Sequence, residues 1–261
     1  MKMHPLNKEF TWQNAPGPLN YVSPEQARDY NEKGGFVLAD AFSAAEIAEL
    51  LAELDPLEAQ RNADLQGIDP NQPTIARPDE IVFSAHAVLV SEQARRFARH
   101  PAMQKLVRDL IGPDVRLYWD QLVYKRPGTQ DDFPWHQDNG YNYVQPQQYL
   151  TCWIALTDAT IENGCPWIAP GMHVNGTLAH EWTSIGFQCL ADSPKDAQAL
   201  EVKAGSVAVF SSLTPHRTGP NLTQGTRKTY ILQYAPEGAH IHPRDASPHL
   251  ANDPQRQFVV T

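Results

Sequence analysis

Cysteine is scarce in this 261-residue chain, and the three present, Cys152, Cys165 and Cys189, are odd in number. Their spacings match no zinc ribbon, so reduced thiols in a cytoplasmic setting are expected. Long apolar runs are missing as well. No stretch of eighteen apolar residues occurs, and Met1-Lys2-Met3-His4-Pro5 opens without the apolar segment of a secretion signal. Neither a membrane span nor a leader is therefore expected. Lys and Arg form no cluster, and the formal net charge is −9. A nucleic-acid surface needs a basic field, so no nucleic-acid partner is expected. Internal repeats and low-complexity segments are absent too.

Proline, by contrast, is frequent, with 22 residues concentrated in expected loops. A chain of this size can bury a large core without staples. It reads as one domain over residues 1–261, with a core of about 30–235 and a C-terminal tail over 236–261. Residues 1–22 are polar, Pro-rich and expected at the surface. Ser23-Pro24-Glu25 places Pro at the first helical position after a Ser cap, predicting a helix to about Lys33 that stops at Gly34-Gly35. Phe36 to Leu38 reads as a short strand. Ser43-Ala44-Ala45-Glu46 is a capping box, and Ile47, Leu50, Leu51 and Leu54 form the stripe of a helix over 43–60. Residues 61–80 read as a loop, and 91–111 as one more amphipathic helix. From Val115 the pattern turns to strands: 115–119, 121–125, 149–157, 166–169, 207–211 and 228–235. Helices first and strands later predict an α+β, mainly β protein, a barrel with helices on one face.

His136 and Asp138 are two apart, in Trp135-His136-Gln137-Asp138. On a strand both would face the same side, with Gln137 turned away. His216 comes eighty residues later, in Thr214-Pro215-His216-Arg217-Thr218. Two imidazoles and one carboxylate suit a facial iron site with three positions left open, as a metal binding both a cosubstrate and dioxygen requires. A structural zinc knuckle would use closer ligands, mostly Cys. Arg227 follows eleven residues after His216. A hairpin would return it to the same cavity, where a guanidinium can grip the far carboxylate of 2-oxoglutarate with paired hydrogen bonds. Thr218, two past His216, would share that face and add a hydroxyl. Asn139-Gly140-Tyr141-Asn142-Tyr143 follows the metal pair and would line the cavity mouth, with Tyr141 and Asn142 near the substrate and Tyr124 lining the same pocket. Trp119 and Tyr230 read as core packing, and His173 as a loop hydrogen-bonding residue.

These residues resemble a known family. His136-Gln137-Asp138, the run Asn163-Gly164-Cys165-Pro166-Trp167-Ile168-Ala169-Pro170-Gly171-Met172-His173, and His216-Arg217-Thr218-Gly219-Pro220-Asn221-Leu222-Thr223 look like the phytanoyl-CoA dioxygenase family. Glu32-Lys33-Gly34-Gly35-Phe36-Val37-Leu38, followed by a helix, fits too, so the likeness runs from about Tyr30 to Tyr234. It implies a double-stranded β-helix (jelly-roll, cupin-like) core and Fe(II)/2-oxoglutarate-dependent dioxygenase chemistry. It also implies iron on His136, Asp138 and His216, and Arg227 and Thr218 on 2-oxoglutarate. Trp153 and Gln121 would lie beside the cosubstrate, and Trp167 and Trp182 near the substrate. Because Asp138 is present, hydroxylation is implied rather than halogenation.

The leading expectation is a hydroxylase of a small molecule that releases succinate and CO2, working as a monomer or homodimer. Desaturation, cyclisation or bond cleavage by the same chemistry is the nearest alternative. A non-catalytic jelly-roll binding protein and a cupin-like zinc hydrolase are the readings from other classes. An intact ligand set with Arg227 at the right offset counts against the first. The lack of a further Glu base beside His136-Gln137-Asp138 counts against the second.

Overall fold

The computed structural model describes residues 1–15, 18–68 and 74–261. Ser23 and Ser43 both cap helices: each side chain accepts from the backbone N–H three residues on, and Gln26 and Glu46 return the bond. Helix α1 (Pro24–Lys33) ends at Gly34, whose φ of 90° lies in the left-handed region. A Cβ there would also meet Thr214 Oγ1 at 2.4 Å, so only glycine fits. Strand β1 (Gly35–Leu38) follows, then helix α2 (Ala44–Gln66). The second helix outlasts the predicted end at residue 60 and runs through Pro56. Pro56 removes one N–H donor, but Ile47, Leu50, Leu54 and Leu65 stay buried along one stripe and hold the helix down. Much of the expected loop 61–80 is thus helical at its start, and its residues 69–73 lie outside the described residues.

Strand β2 (Ile81–Ala85) was not anticipated. The helix expected over 91–111 is two helices, α3 (Glu92–Ala98) and α4 (Pro101–Leu110). Pro101 disfavours helical backbone at His100, whose side chain instead accepts from the Ala102 N–H as a cap. Strand β3 (Val115–Lys125) merges two expected strands into one. Asp120 does not interrupt it, because that fully buried carboxylate accepts from the Val88 N–H and the Tyr230 hydroxyl. Next come β4 (Phe133–His136), β5 (Tyr143–Gln145), β6 (Leu150–Ala155) and β7 (Pro166–Ile168). A hairpin of β8 (Glu181–Thr183) and β9 (Gly186–Gln188) precedes β10 (Gln198–Ala199) and β11 (Val207–Ser211). The last strands are β12 (His216–Thr218), β13 (Arg227–Pro236), β14 (His240–His242) and β15 (His249–Leu250).

Two antiparallel sheets dominate: six strands in the order β1-β11-β6-β13-β3-β2, and four in the order β10-β7-β12-β4. This is the jelly-roll arrangement. The main apolar core, including Leu50, Leu54, Met103 and Leu106, lies between the helices and one face of the larger sheet. The other face of that sheet turns Gln121, Val123, Thr151, Trp153, Ile231 and Gln233 toward the smaller sheet, and a cavity lies between the two. Strands β6 and β11 are buried along their whole length because both of their faces are covered.

The C-terminal segment is not a loose tail. Strand β14 pairs with both β5 and β15, Phe258 and Val260 are buried, and the Val260 N–H bonds to the Val115 carbonyl. The N-terminal stretch is likewise tied down: the Asp109 carboxylate accepts from the N–H groups of Asn20, Tyr21 and Val22. Among the described residues, no helix is long and apolar enough to cross a membrane.

Candidate metal centre

Sheet register brings the two histidine candidates together, and a turn adds the carboxylate. His136 closes β4 and His216 opens β12, and the two are direct antiparallel partners. Asp138 is not on the strand, as the spacing suggested, but begins a short turn of 3-10 helix over Asp138–Gly140. The turn still aims its carboxylate at the imidazoles: Oδ1 lies 4.0 Å from His136 Nε2 and 3.8 Å from His216 Nε2. One donor atom from each residue falls within 4.8 Å of the others, close enough to hold one metal ion. Gln137 turns away and is fully buried, donating to the Gly176 and Leu213 carbonyls and accepting from the Leu178 N–H. The turn is fixed at Gly140, where an added Cβ would sit 2.1 Å from the His180 ring.

Each imidazole is set by a backbone carbonyl two residues back. His136 Nδ1 lies 2.8 Å from the Pro134 oxygen, and His216 Nδ1 lies 3.0 Å from the Thr214 oxygen. Those bonds place the proton on Nδ1 and leave both Nε2 lone pairs facing Asp138, the form a metal needs. Burial holds the His136 pKa down to about 3, helped by His216, and the His216 pKa down to about 4. Burial pushes Asp138 up, against the pull of His136 and Thr151. The Thr151 hydroxyl donates to Asp138 Oδ2, leaving Oδ1 toward the imidazoles. Phe210 and Phe133 wall the two rings, at 4.5 Å from His216 and 5.0 Å from His136.

Arg227 reaches the cavity by a route the sequence did not suggest. It opens β13, which belongs to the larger sheet, and so forms no hairpin with β12. Its guanidinium lines the same cavity as the three ligand candidates, from the larger sheet, 5.1 Å from the Trp153 ring. Arg227 is 1 % exposed, and its Nε and Nη2 atoms have no partner. Nη1 reaches only the Thr229 hydroxyl, at 3.5 Å. A buried guanidinium with two unmatched donors suits a carboxylate ligand. Burial lowers its pKa to about 10, which still leaves it charged at neutral pH. Lys125 is its cross-strand partner and is itself fully buried. Burial first, and Arg227 second, bring the Lys125 pKa down to about 7. Its ammonium donates to the Gly219 carbonyl.

Thr218, Trp153, Gln121, Tyr141 and Asn142 all line this cavity. Three other candidates do not. The Tyr124 side chain lies on the opposite face of β3, in the helix-covered core, with its hydroxyl on Asp55 at 2.7 Å. Trp167 sits between His216 and Thr218 in phase, so its ring turns to the outer face of the smaller sheet, against Arg217. Trp182 is 47 % exposed on the β8–β9 hairpin and touches Phe187. Trp119, expected in the core, instead lines the cavity and bonds the Gln121 amide oxygen at 3.3 Å. Tyr230 is buried as expected, and His173 bonds the Asn31 carbonyl. Thr151 and Gln233, both beside Asp138, were missed. Period-two alternation from Trp153 and Arg227 would have found them, because residues two apart on a strand share a face.

Comparison with known proteins agrees with this geometry. The profile of the family "Phytanoyl-CoA dioxygenase (PhyH)" matches residues 30–229. A phytanoyl-CoA dioxygenase of Arabidopsis thaliana is 35 % identical over 116 residues, 42 % of this chain; the match spans only 41 % of that protein. A methylphosphonate hydroxylase of Gimesia maris is 28 % identical over 82 % of this chain and 80 % of its own. A solved non-heme monooxygenase, ThoJ, superposes with a TM-score of 0.67 at 26 % identity, covering 86 % of this chain and 82 % of that one. The likeness thus takes in both sheets and the cavity between them, and the chain belongs to the phytanoyl-CoA dioxygenase family of 2-oxoglutarate-dependent, non-haem iron oxygenases.

Proposed function

We propose that this enzyme hydroxylates an unactivated C–H bond of a small organic molecule, releasing succinate and CO2. The observation that carries the proposal is one cavity holding two opposed features. On one wall three ligand atoms converge; on the other a buried guanidinium has two donors to spare. In this reading His136, Asp138 and His216 hold iron, and Arg227 anchors the far carboxylate of 2-oxoglutarate. Thr218 and Trp153 flank that anchor, with Gln121 further along the wall. Iron and 2-oxoglutarate, once bound, supply the activation of dioxygen. The chain's own part is to hold neutral imidazoles, fix Asp138 through Thr151, orient the cosubstrate and exclude water with aromatic walls. Tyr141 and Asn142, beyond the metal ligands, would meet the substrate. The donor set fits iron, since two imidazoles and one carboxylate leave room for further oxygen ligands. The whole chain would act as one catalytic domain in the cytoplasm, as a monomer or homodimer, without nucleic-acid or membrane partners.

The test needs no substrate. Metal-free protein under anaerobic conditions receives Fe(II), and 2-oxoglutarate is titrated while the visible spectrum is followed. A weak charge-transfer band should saturate at one equivalent and vanish in His216→Ala. Arg227→Ala should keep iron but weaken 2-oxoglutarate binding, because stripping one partner from a buried charge pair costs on the order of 3–5 kcal/mol. An unchanged 2-oxoglutarate affinity would remove Arg227 from this role. Asp138→Ala should abolish turnover by deleting the sole carboxylate ligand. Product analysis then separates hydroxylation from desaturation, cyclisation or cleavage.

A further inference from the structure

We infer that the part of the substrate entering this cavity is uncharged and is a compact ring carrying hydroxyl or carbonyl groups. The inference rests on the assignment of Arg227 to 2-oxoglutarate. Among the described residues lining the cavity, His136, Asp138, His216 and Arg227 are the ones that could pair with an ion near neutral pH. The first three converge on the metal position and Arg227 is taken by the cosubstrate carboxylate, so none is left for a substrate ion. Residues 16–17 and 69–73 contribute no Lys, Arg or His.

Further cations lie near the cavity but outside its lining, and each has partners: Arg77 pairs with Glu80 and Asp131, and Arg256 with Asp253. Lys125 spends its ammonium on the Gly219 and Asp131 carbonyls. Arg244 is bonded to the Gly140 carbonyl at 2.8 Å and stacked 4.1 Å over the Phe187 ring, which in turn meets the lining residue Tyr141. An anion inside would face ring faces, which carry negative partial charge, with no cation to pair with. Among the described residues lining the cavity, a cation inside would find no free carboxylate. A charged tail of the substrate would have to stay outside the cavity.

What the walls offer is flat and weakly polar. Tyr118, Trp119, Tyr141 and Tyr149 supply rings, and Gln121 and Asn142 supply amides. The Gln121 oxygen already accepts from Trp119, so its amide N–H groups remain to donate. Aromatic walls with a few amide groups select a ring with oxygen substituents over a small, compact anion.

The experiment uses three probes of nearly one shape: benzyl alcohol, benzoate and benzylammonium. Each is titrated by anaerobic calorimetry into protein carrying Fe(II) and 2-oxoglutarate at neutral pH. Benzyl alcohol should bind, with both ions roughly tenfold weaker or more, because a buried charge without a partner is disfavoured. In Asn142→Lys, which plants a cation on the wall, benzoate should overtake benzyl alcohol. Benzoate or benzylammonium binding as tightly as benzyl alcohol to the unaltered protein overturns the inference. So does failure of all three to bind while 2-oxoglutarate still saturates, and so does an Asn142→Lys variant with the original order. Failure of 2-oxoglutarate itself to bind would instead sink the cosubstrate assignment, which is read separately in the same cell.

Discussion

Thr151 shows how much a single neutral residue can do at a charged site. Its hydroxyl occupies one Asp138 oxygen and leaves the other pointing at the two imidazoles. Partners of this kind typically tune metal affinity by 10–100-fold. Thr151→Val, close in shape, should therefore weaken Fe(II) binding by roughly that factor, measured by competition with a chelator; an unaltered affinity would show that the turn alone orients Asp138. Lys125 gives a second residue-scale prediction, in pH. Its ordinary pKa of 10.5 falls to about 7 in the folded protein through burial and the neighbouring Arg227. Between those values the unfolded chain holds the proton and the folded chain does not, so this group makes stability rise with pH over that window. Lys125→Met should remove the rise. Denaturant midpoints of the two proteins, compared across neutral to alkaline pH without ligands, should converge as pH increases; parallel curves would contradict the burial argument.

At the scale of elements, short strands and a terminal strap pack behind Tyr141, one of the residues lining the cavity. Strand β14 adds to β5 directly after the turn that carries Asp138, and Arg244 then crosses to the β8–β9 hairpin. From Arg244 a run of ring contacts leads inward: Phe187 meets Tyr141 at 5.2 Å, and Tyr141 meets His136 at 5.5 Å. Removing Arg244 deletes one hydrogen bond and one cation–π contact, each worth about 1 kcal/mol. Arg244→Ala should speed amide exchange in residues 181–188 and 139–145 while strands β6 and β13 keep their protection. Equal exchange in the hairpin would mean that the strap does not hold it. The same scale shows where sequence patterns misled. His100-Pro101 splits one expected helix, and the capping box at Ser43 fixes where a helix starts but not where it stops.

Across the whole molecule, the candidate site joins two sheets. His136 and His216 belong to the smaller sheet, while Thr151 and Arg227 belong to the larger. Metal and cosubstrate would therefore tie the two layers together in the folded state alone. A ligand at a hundred times its Kd stabilises a fold by about 2.7 kcal/mol. Unfolding midpoints should rise with Fe(II) and rise again with 2-oxoglutarate. The second increment should disappear in Arg227→Ala while the first remains. Loss of both, or of neither, would show that the sheets are not bridged as described.

The chain itself determined a good deal: helix starts from Ser23 and Ser43, a strand-rich second half, and the residue types that can ligate a metal. It did so because caps and period-two alternation are local, and because imidazole and carboxylate chemistry travels with the residue. The family likeness was legible as well, in the motifs around His136 and His216. Only tertiary structure decided which residues meet. It set His216 opposite His136 through strand register, and carried Arg227 to the facing sheet rather than into a hairpin. It also turned Tyr124 and Trp167 away while bringing Trp119, Thr151 and Gln233 in. Which face of a strand borders the cavity depends on what covers the other face, and that is fixed by contacts far apart in sequence. The C-terminal residues illustrate the same point, since Phe258 and Val260 are core residues only because Val115 and the helices stand ready to cover them.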